Sequence, residues 1–230
     1  MRVTEEGIII DQSVLKNKRA IMATGRRYLT QSEVESLLEA AKASGNPERD
    51  YCLIYMSFIH GFRVSEVRHL RLSDLDLKEG SLYIHRLKQG FSTSHPLLGK
   101  EIRAIRAWLK VRGSMRGAES DWLFLSRNGT PLTRQRIYNL IQALGKRAGL
   151  SLCSYPHMLR HACGFALADR GIDTRLIQDY LGHRNIRHTV RYTASNAERF
   201  EGVWRSKNKR KKLHLGPNCK PVYITAAFSL

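Results

Sequence analysis

The sequence predicts a mainly helical domain with one small antiparallel sheet, an α+β arrangement. Three observations carry that expectation. Apolar residues recur at helical spacing in stretches that begin on a capping residue and end on a glycine. Two runs of strand formers flank Gly90 closely enough to make a hairpin. A chain of 230 residues with 42% hydrophobic content can bury a core, and no apolar run approaches the ~20 residues of a membrane span.

The elements follow in order. Thr30 and Glu33 form a capping box, and Val34, Leu37, Leu38 and Ala41 mark one face of the helix it opens. A second helix is expected from Arg49 to His60, stopped by Gly61, and a third near Val64. Ser81 to His85 and Phe91 to His95 are the two strands. Lys100 to Arg112 reads as a helix with Ile102, Ile105 and Leu109 inward, and Trp122 to Leu125 as a short extended run. Thr133 caps a helix with Ile137, Leu140, Ile141 and Leu144 on one face, ended by Gly149. Pro156 opens another that stops at Gly171. Asp173 caps a short helix ended by Gly182, and Ser195 with Glu198 forms a capping box for a last one.

Charge narrows the class. The chain carries 39 Lys+Arg against 20 Asp+Glu, a net +19, which points to a polyanionic partner. Residues 204–230 hold seven basic side chains and no acidic one, with the densest run from Arg205 to Lys212. Such a run is either a solvated tail or a phosphate-attracting arm. Met1 to Asp11 places two glutamates before Ile8-Ile9-Ile10, the wrong order for a signal peptide. Cys52, Cys153, Cys163 and Cys219 show no CxxC spacing and read as reduced thiols. A disulfide scaffold, a membrane protein and a disordered chain are disfavoured, and a cytoplasmic setting is expected.

Several short motifs could carry chemistry. His157 and Arg160 lie one turn apart at the start of a helix, where an anion would meet an imidazole and a guanidinium fork. His-x-x-Arg alone is common by chance. His157 and His161 at i,i+4 could instead hold a metal, but such sites want a glutamate at position 158, which is Met. Leu181-Gly182-His183-Arg184 follows a helix stop, and Tyr192 comes nine residues after His183. Arg63 follows a helix end, with Glu66 as an ordinary ion-pair partner, and Lys88 sits at the hairpin turn.

In that order and spacing the pieces resemble the tyrosine recombinase (phage-integrase-type) family. The resemblance covers Tyr28 to Trp204. The stretches around Tyr83 to Thr93, Pro156 to His161 and Arg175 to Ala197 are similar to its fimbrial phase-switch subgroup. It implies residues 28–203 as the catalytic domain, residues 1–27 as an N-terminal extension too short for a separate core-binding domain, and residues 204–230 as a basic tail. Met22 also resembles a subgroup start. Carried over by position, Tyr192 resembles the nucleophile that forms a 3′-phosphotyrosine. Arg63 and Arg160 resemble the clamp on the non-bridging oxygens, and Lys88 the acid that protonates the leaving 5′-oxygen. His157 resembles the residue that assists proton removal from the tyrosine, and His183 a further phosphate donor. Glu66 would support the cluster.

The chemistry wants these types. A tyrosine hydroxyl with a pKa of roughly 10 needs a base or a cationic field to attack. Charge gathering on equatorial phosphate oxygens is met by guanidinium forks, and an alkoxide leaving group needs a proton. No cofactor and no metal is expected. The partners implied are double-stranded DNA with inverted repeats, three further copies completing a homotetramer on two sites, and accessory DNA-bending proteins, in a bacterial nucleoid. The implied output is inversion of a promoter element controlling fimbrial phase variation. The rival functions are a non-catalytic DNA-binding regulator and a type IB topoisomerase-like relaxase.

Overall fold

The computed structural model describes residues 26–86 and 92–194. The Ser195 capping box, the turn that holds Lys88, residues 1–25 of the N-terminal extension and the basic tail lie outside them. The described helices are α1 (Gln31–Lys42), α2 (Pro47–Ile59), α3 (Val64–Arg68), α4 (Gly99–Arg112), α5 (Arg134–Arg147), α6 (Pro156–Asp169), α7 (Thr174–Leu181) and α8 (Arg187–Ala194). The strands are β1 (Leu75–Asp76), β2 (Ser81–Ile84) and β3 (Thr93–Pro96), antiparallel in the order β1-β2-β3. The fold class thus agrees with the sequence reading. None of the described helices is long and apolar enough to cross a membrane.

Local chemistry sets most boundaries. Thr30 accepts from the Glu33 amide while the Glu33 carboxylate reaches back to the Thr30 amide, the reciprocal box that starts α1. Replacing such a cap with alanine typically costs about 1 kcal/mol. Pro47 takes the first turn of α2, two residues before the start expected from Arg49. Gly61 ends the α2 segment at φ +57°, and a Cβ there would lie 2.4 Å from Leu181. Asp173 accepts from the Arg175 amide at 2.8 Å to start α7, and Gly182 closes it at φ +63°.

Two elements go unassigned in the sequence reading and a third is weaker than expected. β1 is a two-residue strand that pairs Leu75 with Leu82, too short to show periodicity. Trp122 and Leu125 form only isolated bridges, to Arg71 and Pro131. Arg187–Ala194 is helical although Thr189, Val190 and Thr193 are β-branched, and it is held by packing on α6 and α7.

The main core is built from α1, α2, α4, α5 and α6, with Leu37, Leu53, Ile54, Ile105, Trp108 and Ile141 buried. A smaller cluster of Cys163, Ile177, Leu181 and Tyr192 joins α6, α7 and α8. A buried polar chain fastens the sheet to the helices. His60 meets Glu101 at 2.6 Å and His95 at 3.1 Å, and His95 meets Thr93 at 2.9 Å. It anchors β3, one arm of the hairpin, to the end of α2 three residues before Arg63.

Candidate active site

Four short segments converge. The α2–α3 turn brings Arg63, α6 brings Arg160, the α7–α8 loop brings His183, and α8 brings Tyr192. A cleft of about 690 Å³ beside them is lined by Arg63, Arg175, Gln178, His183, Arg184 and His188. A larger cleft of about 810 Å³, between β1 and Arg112, holds none of the candidates and has no comparable cluster of basic groups.

Glu66 organises the arginines. Its carboxylate is buried and accepts from the Arg63 guanidinium at 2.7 Å and the Arg63 amide at 2.8 Å. The guanidinium of Arg86 donates to it at 2.8 Å, and that of Arg160 approaches to 3.9 Å. Arg160 is only 1% exposed and donates to the carbonyls of Gly61 and Leu181. Burial and the charge of Arg63 push its pKa down to about 10, so it stays cationic at neutral pH. Arg63 is a quarter exposed and turns toward the cleft.

Tyr192 is 1% exposed. Its ring lies against Phe165 at 5.1 Å and along His183 at 6.2 Å. Gly164 makes the slot, since a Cβ there would stand 2.5 Å from the tyrosine ring. Burial raises the phenol pKa, while Arg160 and Arg191 oppose the rise, so the resting hydroxyl keeps its proton. His161 Nδ1 sits 2.9 Å from that hydroxyl.

The tyrosine's hydrogen-bond partner is therefore His161, and not His157. His157 is one turn back on α6, more exposed, its ring edge-on to His161 at 4.4 Å. The sequence offers His161 only as a metal partner, because nothing in the spacing tells which turn of α6 faces α8. His183 meets Thr189 at 2.8 Å through Nδ1, and its carbonyl accepts from Gln178 at 2.8 Å. The loop to α8 is shaped by Asn185, whose side chain accepts from the Arg187 amide at 2.9 Å. Lys88 lies outside the described residues. Its flanks close nearby, where the Arg86 amide donates to Ser92 at 3.2 Å. The arrangement can hold a tetrahedral anion between guanidiniums and bring a phenol to it.

Three buried imidazoles are held neutral. His95 and His183 are pushed down to about 3, and His161 to about 4, in each case first by burial and then by neighbouring cations or histidines. In the unfolded chain each takes a proton near pH 6.5. Stability from this source is thus full above about pH 6.5. It falls as the pH drops toward the folded values, because the unfolded chain then binds protons the fold refuses. The urea midpoint is expected to be clearly lower at about pH 5 than at about pH 7.5. An equal or higher midpoint at the lower pH would contradict the neutral assignment.

The chain is 64% identical over 179 residues to the type 1 fimbriae regulatory protein FimB of Escherichia coli K12, covering 78% of this chain and 90% of that one. It is 54% identical over 184 residues to FimE of the same strain, covering 80% and 93%. The crystal structure of XerA recombinase superposes with a TM-score of 0.68 at 30% identity, covering 77% of this chain and 63% of that one. XerH site-specific recombinase, solved with its palindromic difH substrate after cleavage, gives 0.66 at 26% identity over 77% and 53%. The chain spans less than two thirds of those two recombinases. Residues 27–199 match the phage integrase family, and the chain belongs to that family, the tyrosine recombinases.

Proposed function

We propose that this chain is a site-specific recombinase that cuts and rejoins double-stranded DNA through a 3′-phosphotyrosine on Tyr192. The observation that carries the reading is the buried carboxylate of Glu66 gathering Arg63 and Arg160 beside a phenol hydrogen-bonded to His161. Arg63 and Arg160 bind the non-bridging oxygens of the scissile phosphate, and His183 donates a further hydrogen bond. His157 and His161 form the basic pair that receives the phenol proton, with His161 the nearer. Lys88, from the hairpin turn, protonates the departing 5′-oxygen. The ester energy is kept in the phosphotyrosine, so rejoining needs no nucleotide.

The resting tyrosine is closed to solvent, so α8 shifts when the phosphate is engaged, and uncovering the hydroxyl is coupled to DNA binding. The likeness to FimB and FimE supports inversion of a promoter element between inverted repeats, with control of fimbrial genes as its output. Exchange on two sites calls for a homotetramer, helped by accessory DNA-bending proteins, in the cytoplasm on the nucleoid. Residues 28–203 form the catalytic domain, residues 1–27 an extension, and the basic residues 204–230 add non-specific attraction to phosphates.

The test is to incubate the protein with DNA that carries the candidate repeats and its flanking chromosomal sequence. Inverted product is expected without ATP and undiminished in EDTA, because the guanidiniums supply the charge. Relaxation without inversion would favour the topoisomerase-like reading. Binding with neither would favour a regulator. Loss in EDTA restored by Mg²⁺ would contradict the mechanism.

A further inference from the structure

Arg86 takes no role in the reading above, yet its side chain is wholly buried beside the phosphate site. It follows β2 by two residues and precedes Lys88 by two. Nη1 donates to Glu66 at 2.8 Å. Nη2 donates to the carbonyls of His60 at 3.2 Å and Tyr180 at 2.6 Å. Those carbonyls lie three residues before Arg63 and three before His183. One guanidinium therefore fastens together the segments that carry Arg63, His183 and Lys88. Gly182 is shaped around it, for a Cβ there would come within 2.9 Å of the arginine's Cγ.

Charge gives this contact a second consequence. Glu66 is a single buried anion facing Arg63, Arg86 and Arg160. In a low-dielectric site its charge weakens the pull of any cation it pairs with on a third partner. Without Arg86, that charge falls wholly on the two arginines assigned to the phosphate. With Arg86 in place, the cluster of three cations and one anion keeps an excess of two positive charges. Burial lowers the Arg86 pKa while Glu66 raises it, and the group is closed to DNA by its neighbours.

We infer that Arg86 is a positioning residue for strand cleavage: it neutralises Glu66 and ties the three segments together, so that Arg63 and Arg160 meet the scissile phosphate with their charge undiminished. The inference rests on the assignment of Arg63 and Arg160 as the phosphate clamp, and the experiment separates the two.

Single-turnover cleavage at saturating DNA is measured on an ordinary phosphate and on a methylphosphonate, in which a methyl group replaces one non-bridging oxygen and removes the charge. Arg86→Met is expected to slow cleavage of the phosphate by about 10²-fold with the DNA Kd unchanged, and of the methylphosphonate by less than about 10-fold. A general packing defect would slow both alike, and equal impairment overturns the inference. Arg86→Lys keeps the charge that neutralises Glu66 while giving up the fork's contacts to the two carbonyls, and is expected to recover most of the loss, staying within about 10-fold of wild type on the phosphate. If it falls as far as 10²-fold, the inference is overturned whether or not Arg86→Met folds. Arg63→Ala reports on the clamp itself. If it is equally impaired on both substrates, the clamp assignment fails. If it recovers on the methylphosphonate while Arg86→Met does not, only the role of Arg86 fails.

Discussion

Tyr192→Phe is expected to abolish cleavage while leaving the fold and DNA affinity in place. The change removes one hydroxyl and keeps the ring that fills the Gly164 slot and lies against Phe165 and His183. The lost hydrogen bond to His161 is worth on the order of 1 kcal/mol. Without the phenol oxygen the cleavage rate should fall by about 10⁴-fold or more, as for other lost nucleophiles. The DNA Kd should stay within about twofold, since phosphate contacts dominate affinity. A denaturing gel should show a protein–DNA adduct for wild type and none for the variant. An undiminished adduct in Tyr192→Phe would move the nucleophile elsewhere.

Lys88→Ala carries the second large effect. A 5′-alkoxide is a poor leaving group, and a positioned acid is worth about 10²–10⁴-fold in rate. A slow variant alone does not identify an acid, because a lysine beside the phosphate also stabilises its charge. Replacing the bridging 5′-oxygen with sulfur separates the roles. A thiolate departs without protonation, whereas the need for phosphate-binding charge remains. Lys88→Ala should approach the wild-type rate on the sulfur substrate, and Arg160→Ala should stay slow. Equal impairment of Lys88→Ala on both substrates would make its role electrostatic and turn the search for the acid to His183.

The fold was largely legible because its boundaries are set by local chemistry. The Thr30–Glu33 box, Pro156 at a helix start, and Gly61 and Gly182 at helix ends depend on residues within a few positions of one another. The order of Arg63, Arg160, His183 and Tyr192 was legible through resemblance, and the structure gathers these residues around Glu66 and α8. What could not be read depends on how distant segments cross. His161 rather than His157 meets Tyr192 because of the way α6 lies against α8, and i,i+4 spacing puts both histidines on the same face. Arg86 looks like an exposed hairpin arginine, and only the approach of Tyr180 and Glu66 buries it. The sequence reading assigns no element to α8, whose β-branched residues favour strands locally. Its packing on α6 and α7 decides otherwise.

The most direct test of the central claim is to locate the covalent bond. The protein is incubated with a nicked DNA whose short 5′ product diffuses away, so that religation is blocked and the intermediate accumulates. The trapped complex is digested with protease and nuclease, and the peptide carrying the residual nucleotide is sequenced by mass spectrometry. The account predicts a 3′-phosphonucleotide on Tyr192 in the peptide around Val190 to Thr193. A nucleotide on any other residue, or no covalent complex under conditions where the DNA is cut, would contradict it.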